Sequence, residues 1–187
     1  MSVRRRWRQV VPMMVIWLMV SIFFWSWIFT FVTDTDHAHK LVLFTEMELA
    51  DGTALALALE EGTGPAIRMV QVHPFAYAMM GEELLVNADL YVVTASGMTE
   101  YARWFSPLPE ALARGENLYR AEGVPVGVRI WDAEQKRGAA ADLIRYPAGE
   151  DCYLCVGVHS LHVAGLEGAV DNEAVEAALR MLAWPRE

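Results

Sequence analysis

Two cysteines and two histidines lie close together near the end of the chain, as Cys152, Cys155, His159 and His162. Sulfur and imidazole nitrogen are zinc ligands, and a dithiol of this spacing can form a redox pair. Zinc fingers place a longer loop between their ligand pairs, however, and a redox dithiol opens a helix. Here the cysteines lead into a valine-rich segment typical of a strand, where residues three apart point to opposite faces about 10 Å apart. The pattern therefore predicts two unbridged thiols and no metal site.

Ser96 lies at a predicted strand-to-helix turn, the position that a hydrolase nucleophile would take. A nucleophile elbow has the pattern G-x-S-x-G, but Thr94 replaces the first glycine and Gly97 comes one place early. His73 and His159 are candidate bases, yet no spacing ties them to the serine. Phosphate-loop and dinucleotide fingerprints are absent from the sequence, so no cofactor is predicted. We therefore predict no catalytic residue and a non-enzymatic protein, with a hydrolase or thiol enzyme as the alternative.

Polar side chains follow three predicted strands, and they are the candidate ligand-binding residues Glu46, His73, Thr94 and Ser96. Ligands of open α/β sheets bind beyond the carboxyl ends of the strands. Ser96 is also placed to cap the next helix, whose N-terminal amides can hold a small anion. The alternative is that these residues are only caps and surface turns, because a single domain lacks the opposing wall of a concave site.

Apolar runs of strand length alternate with segments of helical spacing along the rest of the chain. The opening order of strand and helix predicts right-handed crossovers and one mainly parallel sheet, covered on both faces in a three-layer α/β domain. The predicted strands are residues 41–45, 66–72, 89–93, 118–120, 124–131 and 153–158, and the predicted helices are residues 53–61, 74–87, 98–105 and 172–184.

Several of these segments carry a family resemblance. The run Leu-Val-Leu-Phe at 41–44, the strand at 67–72, Ala-Asp-Leu-Tyr-Val-Val at 88–93 and a helix ending before Pro107 resemble the first lobe of extracellular solute-binding proteins of the type 2 periplasmic-binding fold. Tyr-Leu-Cys-Val-Gly-Val-His-Ser at 153–160, followed by a terminal helix, looks like the return strand and closing helix of that lobe. The resemblance covers most of residues 41–184 and implies the lobe fold and a binding function. Such proteins usually have two lobes, so no binding residue is carried over.

An uncharged apolar run covers residues 10–32, from Val10 to Val32. At 1.5 Å per residue it reaches about 34 Å as a helix, enough to cross a bilayer core of about 30 Å. Four arginines precede the run and only Lys40 follows it closely, and this asymmetry of basic residues predicts a cytoplasmic N-terminus and an extracytoplasmic remainder. A cleaved secretory signal is the alternative, but its apolar core is shorter and ends at small residues. The predicted divisions are a basic tail (1–9), a single transmembrane helix (10–32), a linker (33–40) and an extracytoplasmic domain (41–187).

Charge narrows the choice of partner. Four of the 15 basic residues precede the span, which leaves 11 against all 24 acidic residues, a formal charge of −13 for the external part. Such a surface repels nucleic acid and anionic lipid. The sequence therefore predicts a membrane-anchored, solute-binding-like domain that binds a small molecule or a membrane-protein partner, with an accessory subunit of a membrane complex as the alternative.

Overall fold

A computed structural model describes residues 3–33, 36–61, 63, 65, 67–76, 85–115, 117–163 and 172–183, and within the first helix the side chains of residues 10–29. The chain divides into two compact units, Met1–Asp36 and His37–Glu187, which are described separately below.

The first unit is one continuous helix, α1, over Val3–Thr33. Its 20-residue segment Val10–Phe29 has a mean hydropathy of 2.0 and is long and apolar enough to cross a membrane. Pro12 lies inside the helix but outside the first turn, nine positions after Val3. A signal sequence near an N-terminus can also be long and apolar enough to meet these criteria, so membrane anchoring is taken up below as a proposal.

The second unit is built on a mixed sheet of seven strands in the order β3-β1-β4-β9-β6-β5, with β7 paired to β6. A separate two-stranded pair joins β2 to β8. The strands are β1 (Lys40–Thr45), β2 (Glu48–Leu49), β3 (Met69–Pro74), β4 (Leu90–Thr94), β5 (Leu118–Ala121), β6 (Val124–Asp132), β7 (Arg137–Gly138), β8 (Ile144–Arg145) and β9 (Cys152–Val156).

The prediction of a mainly parallel sheet is wrong. Parallel pairing is confined to β3, β1 and β4, the strands that the predicted crossovers connect. β9 lies antiparallel to β4, and β6 and β5 extend the sheet antiparallel again. β5 and β6 form a hairpin through Glu122 and Gly123, both with positive φ, and a tight turn of this kind joins antiparallel strands only.

Three helices and a short turn cover the two faces of the sheet. α2 (Gly52–Glu60) and α4 (Glu173–Ala183) contribute Leu55, Leu59 and Met181 to the larger core cluster, on the face that also holds Leu41 and Leu43 of β1. α3 (Ala95–Glu100) and the 3-10 turn Ala102–Trp104 cover the opposite face, where an aromatic cluster surrounds Phe44 and Tyr91. The predicted covering of both faces is thus present in the domain.

Element boundaries differ from the predictions at several places. The second predicted strand begins at Met69 rather than at residue 66, and the predicted helix 98–105 is replaced by α3 and the 3-10 turn. Lys40, predicted to end the linker, is the first residue of β1, and His37–His39 form a 3-10 turn before it. Most of the predicted helix 74–87, at residues 77–84, lies outside the described residues.

Candidate binding site at the ends of the parallel strands

Three of the four predicted ligand-binding residues come together at the carboxyl ends of β1 and β4. Glu46 directly follows β1, Thr94 ends β4, and Ser96 lies in the first turn of α3. The Thr94 amide N–H and hydroxyl both donate to Glu46 Oε2, each at 2.9 Å. Ser96 Oγ lies 3.0 Å from Thr94 Oγ1. The rule that polar groups gather at this edge of a parallel sheet therefore holds for these three residues.

The helix cap is Thr94, and the prediction that Ser96 caps the helix is wrong. Thr94 has extended backbone angles, φ −72° and ψ 169°, and its Oγ1 accepts a hydrogen bond from Gly97 N at 3.1 Å. Ser96 is already inside the helix, as its second residue, and so does not occupy the cap position. The Glu46 carboxylate accepts the amide N–H of Thr94 directly before this helix, where an anionic ligand had been expected.

Gly97 lets the Glu46 carboxylate approach the helix closely. A Cβ at this position would lie 2.6 Å from Glu46 Oε2 and 3.2 Å from Val93 Cβ. Since real Cβ atoms do not come this close to an oxygen, any larger residue would displace the carboxylate from Thr94. The sequence Thr-Ala-Ser-Gly thus supplies both the cap and the space for its acidic partner.

A second carboxylate, from Glu150, completes the arrangement. Ser96 Oγ donates to Glu150 Oε2 at 3.2 Å. Glu150 lies in the loop before β9, and the pairing of Cys152 with Thr94 across β9 and β4 brings it to this edge. We call Glu46, Thr94, Ser96 and Glu150 the carboxylate row. The sequence placed Glu150 only in a polar loop, because nothing in it indicated that β9 lies beside β4.

The number of hydroxyl hydrogens determines which groups in the carboxylate row donate and which accept. Each hydroxyl has one hydrogen to donate. Thr94 gives its hydrogen to Glu46, so the Ser96 hydrogen goes either to Thr94 Oγ1 or to Glu150. Bonds to an ionised acceptor are the stronger ones, which favours Glu150. Ser96 is thus tied to carboxylate and hydroxyl oxygens, and no imidazole is among its partners.

His73 does not join the carboxylate row. It lies on β3, which β1 separates from β4, and it pairs in register with Phe44. The two rings lie 5.4 Å apart between centroids, and partial burial lowers the pKa of His73. A neutral imidazole packed on Phe44, which belongs to the aromatic core cluster, is not positioned as a base for Ser96.

The two cysteines are unbridged and lie on opposite faces of β9, as the strand interpretation predicts. Cys152 belongs to the larger core cluster and Cys155 to the aromatic one, where its Sγ lies 3.2 Å from Met98 Sδ. Burial, followed by the nearby charges of Glu46 and Glu150, raises the pKa of Cys152 to about 12. Burial likewise raises the pKa of Cys155 well above its ordinary value. Both thiols therefore stay protonated at neutral pH, whereas nucleophilic thiols need a lowered pKa.

The two histidines near these cysteines differ in their exposure to solvent. His159 is exposed, whereas His162 is fully buried with Nε2 at 2.9 Å from the carbonyl oxygen of Lys40. Within the described part of the chain, no group of three or more histidine, cysteine or acidic residues is placed to hold a metal ion.

A buried polar cluster lies at the opposite end of β4. Asp89 Oδ2 accepts from Val42 N at 2.8 Å, and its Oδ1 accepts from Ser160 Oγ at 2.5 Å. Ser160 Oγ in turn accepts the backbone N–H of His162 at 3.2 Å. Serine, histidine and aspartate are the residue types of a hydrolase triad, but here the serine hydrogen goes to the aspartate and not to the imidazole. We call Asp89, Ser160 and His162 the buried polar cluster.

Comparison with known proteins assigns the chain to no family. No family model matches it, and neither a curated protein nor a solved structure matches it significantly. The resemblance to one lobe of a solute-binding protein consequently remains a prediction from the sequence.

Proposed function

We propose that this protein is a membrane-anchored, non-enzymatic binding protein whose carboxylate row recognises a positively charged group. The apolar segment of α1 serves as the anchor, with the N-terminus in the cytoplasm and the α/β domain outside. The single observation that carries the proposed binding role is the row from Glu46 to Glu150, in which Thr94 and Ser96 each donate to a carboxylate, at the sheet edge where α/β proteins bind their ligands.

The chemistry of the row favours a cation. Its two carboxylates are acceptors only, and the row's hydroxyl hydrogens are already donated within the row. Glu46 is exposed and Glu150 is half-buried, so both can reach a ligand in solvent. An ammonium or guanidinium group supplies the donors that the row lacks, and the charge of −13 on the external part of the chain attracts such groups over a longer range.

A small amine and a basic segment of a membrane-protein partner share this chemistry. The second source corresponds to an accessory subunit of a membrane complex, the alternative that the sequence left open. A hydrolase or thiol enzyme is less well supported, because Ser96 lacks an imidazole partner and the raised pKa values of both cysteines keep them as thiols.

Binding of a small amine is tested by calorimetry on the full chain in nanodiscs of zwitterionic lipid. Putrescine is the probe, and 1,4-butanediol is the neutral compound of the same length. We expect Glu46→Gln and Glu150→Gln each to weaken putrescine binding, while Glu110→Gln, which removes an exposed carboxylate elsewhere, leaves it unchanged. Equal responses to putrescine and butanediol would count against a cation site.

Binding of a membrane-protein partner is tested with a photo-crosslinking residue at position 96 in native membranes. The same residue at position 110 is the control. A protein captured from position 96 alone, and lost on Glu46→Gln, supports recruitment through the carboxylate row. The proposed binding role is refuted if Glu46→Gln and Glu150→Gln weaken putrescine binding no more than Glu110→Gln does, and if position 96 captures no protein that position 110 does not also capture. Carbonate extraction and protease accessibility of the C-terminal domain test the anchor and its orientation separately.

A further inference from the structure

Two clefts lie at the far edge of the sheet, on the side of β6 and β5. One has a volume of about 210 Å³ and the other about 230 Å³, and Asn117 and Arg129 line both of them. Each is smaller than a typical small-molecule site of roughly 300–1,000 Å³, so a ligand of ordinary size would have to use both. We call them together the β6 groove. β9 separates β6 from β4, so this groove is distinct from the carboxylate row.

The β6 groove is lined by cations although the domain is strongly acidic. Arg114, Arg129 and Arg137 line it, and Asp132 is the one carboxylate among the described residues that line it. These three arginines belong to only 11 basic residues that face 24 acidic ones in the external part. Their concentration in one groove makes this region a place where an anion is attracted rather than repelled.

Arg129 acts as a fixed part of the groove wall. Its guanidinium donates to Asp151 Oδ2 at 3.0 Å and to Asn117 Oδ1 at 2.9 Å, and it lies 3.3 Å from Asp132. The bond to Asp151, as the largest cause, raises the pKa of Arg129. Because the Asn117 carbonyl oxygen is held by Arg129, the two N–H groups of that amide remain to face a ligand.

Arg114 and Arg137 are the cations that a ligand can use. Both side chains are exposed, and among the residues that the structure describes neither has a carboxylate partner. A guanidinium presents a planar fork of donors that matches a carboxylate. The polar part of the groove thus offers two uncompensated cations and an oriented amide.

The other end of the groove is apolar. Leu112 and Val128 form its buried floor, and Leu182 is half-buried beside them. Leu179 of α4 is 42% exposed, although the helix otherwise turns its apolar stripe towards the core. An exposed leucine beside a cationic cleft suits a ligand that carries an apolar group next to its charge.

We infer that the β6 groove binds a small amphipathic carboxylate, with the carboxylate at Arg114, Arg137 and Asn117 and a short apolar chain over Leu179. Two sources share this chemistry, a free short-chain fatty acid and the C-terminal residue of a peptide ending in an apolar side chain. The inference concerns a site other than the one proposed above, and it does not require the carboxylate row to bind anything.

The test is calorimetric titration of the full chain in zwitterionic nanodiscs, with empty nanodiscs subtracted. Hexanoate and N-acetyl-leucine are the two probes for the two sources. Hexanol carries a similar chain without the charge, and acetate carries the charge without the chain. We expect saturable binding of hexanoate or N-acetyl-leucine, with acetate and hexanol at least tenfold weaker.

Matched variants locate the site. Arg137→Gln and Arg114→Gln are each expected to weaken carboxylate binding about tenfold, the size of one lost charge-assisted hydrogen bond. Arg68→Gln is the control, because it removes an exposed cation directly before β3 at the opposite edge of the sheet. Leu179→Ser should weaken hexanoate more than acetate, whereas Leu57→Ser, at a leucine 60% exposed on α2, should not.

Failure of this inference is distinguishable from failure of the proposed function. Glu46→Gln is expected to leave hexanoate binding unchanged, and Arg137→Gln to leave putrescine binding unchanged. Equal affinities of the Arg137→Gln and Arg68→Gln variants for hexanoate, or equal affinities of the native chain for hexanoate and hexanol, would overturn the inference. Near-UV circular dichroism of each variant checks that its fold is kept.

Discussion

Replacing Asp89 by alanine is expected to destabilise the domain by about 2–5 kcal/mol. The Asp89 side chain accepts two buried hydrogen bonds, from Val42 N and from Ser160 Oγ, and the residue is 4% exposed. Alanine would leave a buried amide and a buried hydroxyl without their acceptor, and each such loss costs roughly 1–3 kcal/mol. Removing a buried charge offsets part of this cost, since burial raises the pKa of Asp89 above its ordinary value of 3.8.

Asparagine at position 89 removes the charge but can keep both hydrogen bonds, so it separates their contributions to stability. Its carbonyl oxygen can accept from Val42 N and its amide can donate to Ser160 Oγ, so the loss should be smaller than with alanine. Because the folded pKa of Asp89 is raised, the native protein loses stability as the pH rises from about 4 through that folded pKa. The Asp89→Asn variant has no ionisable group at this position and does not lose stability in this way. The stability of this variant relative to the native protein should therefore increase between pH 4 and pH 7.

The assay is urea unfolding of the full chain in detergent micelles, followed by near-UV circular dichroism at several pH values. A loss of about 2–5 kcal/mol also lowers Tm by roughly 4–20 °C, at about 2–4 °C per kcal/mol for a domain of this size. Glu110→Ala, at an exposed carboxylate, is the control and should stay within about 0.5 kcal/mol. An alanine variant as stable as this control, or an asparagine variant whose relative stability does not change with pH, would refute the reasoning.

Three further outcomes follow from individual contacts. Cys152 and Cys155 should resist alkylation by iodoacetamide at pH 8 in the native chain and react once it is unfolded in urea, because burial keeps both as thiols; rapid native labelling would contradict their placement. Gly157→Ala should destabilise by at least about 3 kcal/mol in urea unfolding, since its Cβ would collide with the Ala88 carbonyl oxygen, and a neutral effect would show that the backbone can move there. Gly123→Ala should cost only about 1 kcal/mol, because its φ of +88° strains an alanine while the space around it is open.

The sequence predicted the parts of the fold that local patterns determine. The apolar run at 41–45 and the strands predicted at 118–120 and 124–131 appear close to their expected positions, because each depends on a short apolar stretch or on the turn residues beside it. The sheet became mixed at β9, whose partner is β4, a residue separation of about sixty. Periodicity marks a strand but says nothing of the neighbour it pairs with, so the direction of the later strands was not predictable in this way.

The same difference between general rules and long-range strand pairing explains which residues of the candidate site could be predicted from the sequence. Glu46, Thr94 and Ser96 were found because the carboxyl ends of parallel strands meet at one edge, which is a rule of topology. Glu150 was missed because it reaches that edge only through the β4–β9 pairing. The cap was placed two residues late, since Thr94 and Ser96 both have suitable side chains and the apolar spacing of the helix begins only at Met98.

The two polar clusters lie at opposite ends of one central strand, and this separates folding from binding. From Asp89 to Thr94 the chain advances about 17 Å, at roughly 3.3 Å per residue. At the first end the Asp89 carboxyl group is buried and accepts hydrogen bonds from Val42 N and Ser160 Oγ, so a change there acts on stability. At the other end Glu46 and Ser96 are exposed, so a neutral substitution such as Glu46→Gln alters charge with little change in packing. Sites this far apart contribute nearly independently to stability, and a binding defect caused by Glu46→Gln can therefore be attributed to the carboxylate row rather than to unfolding.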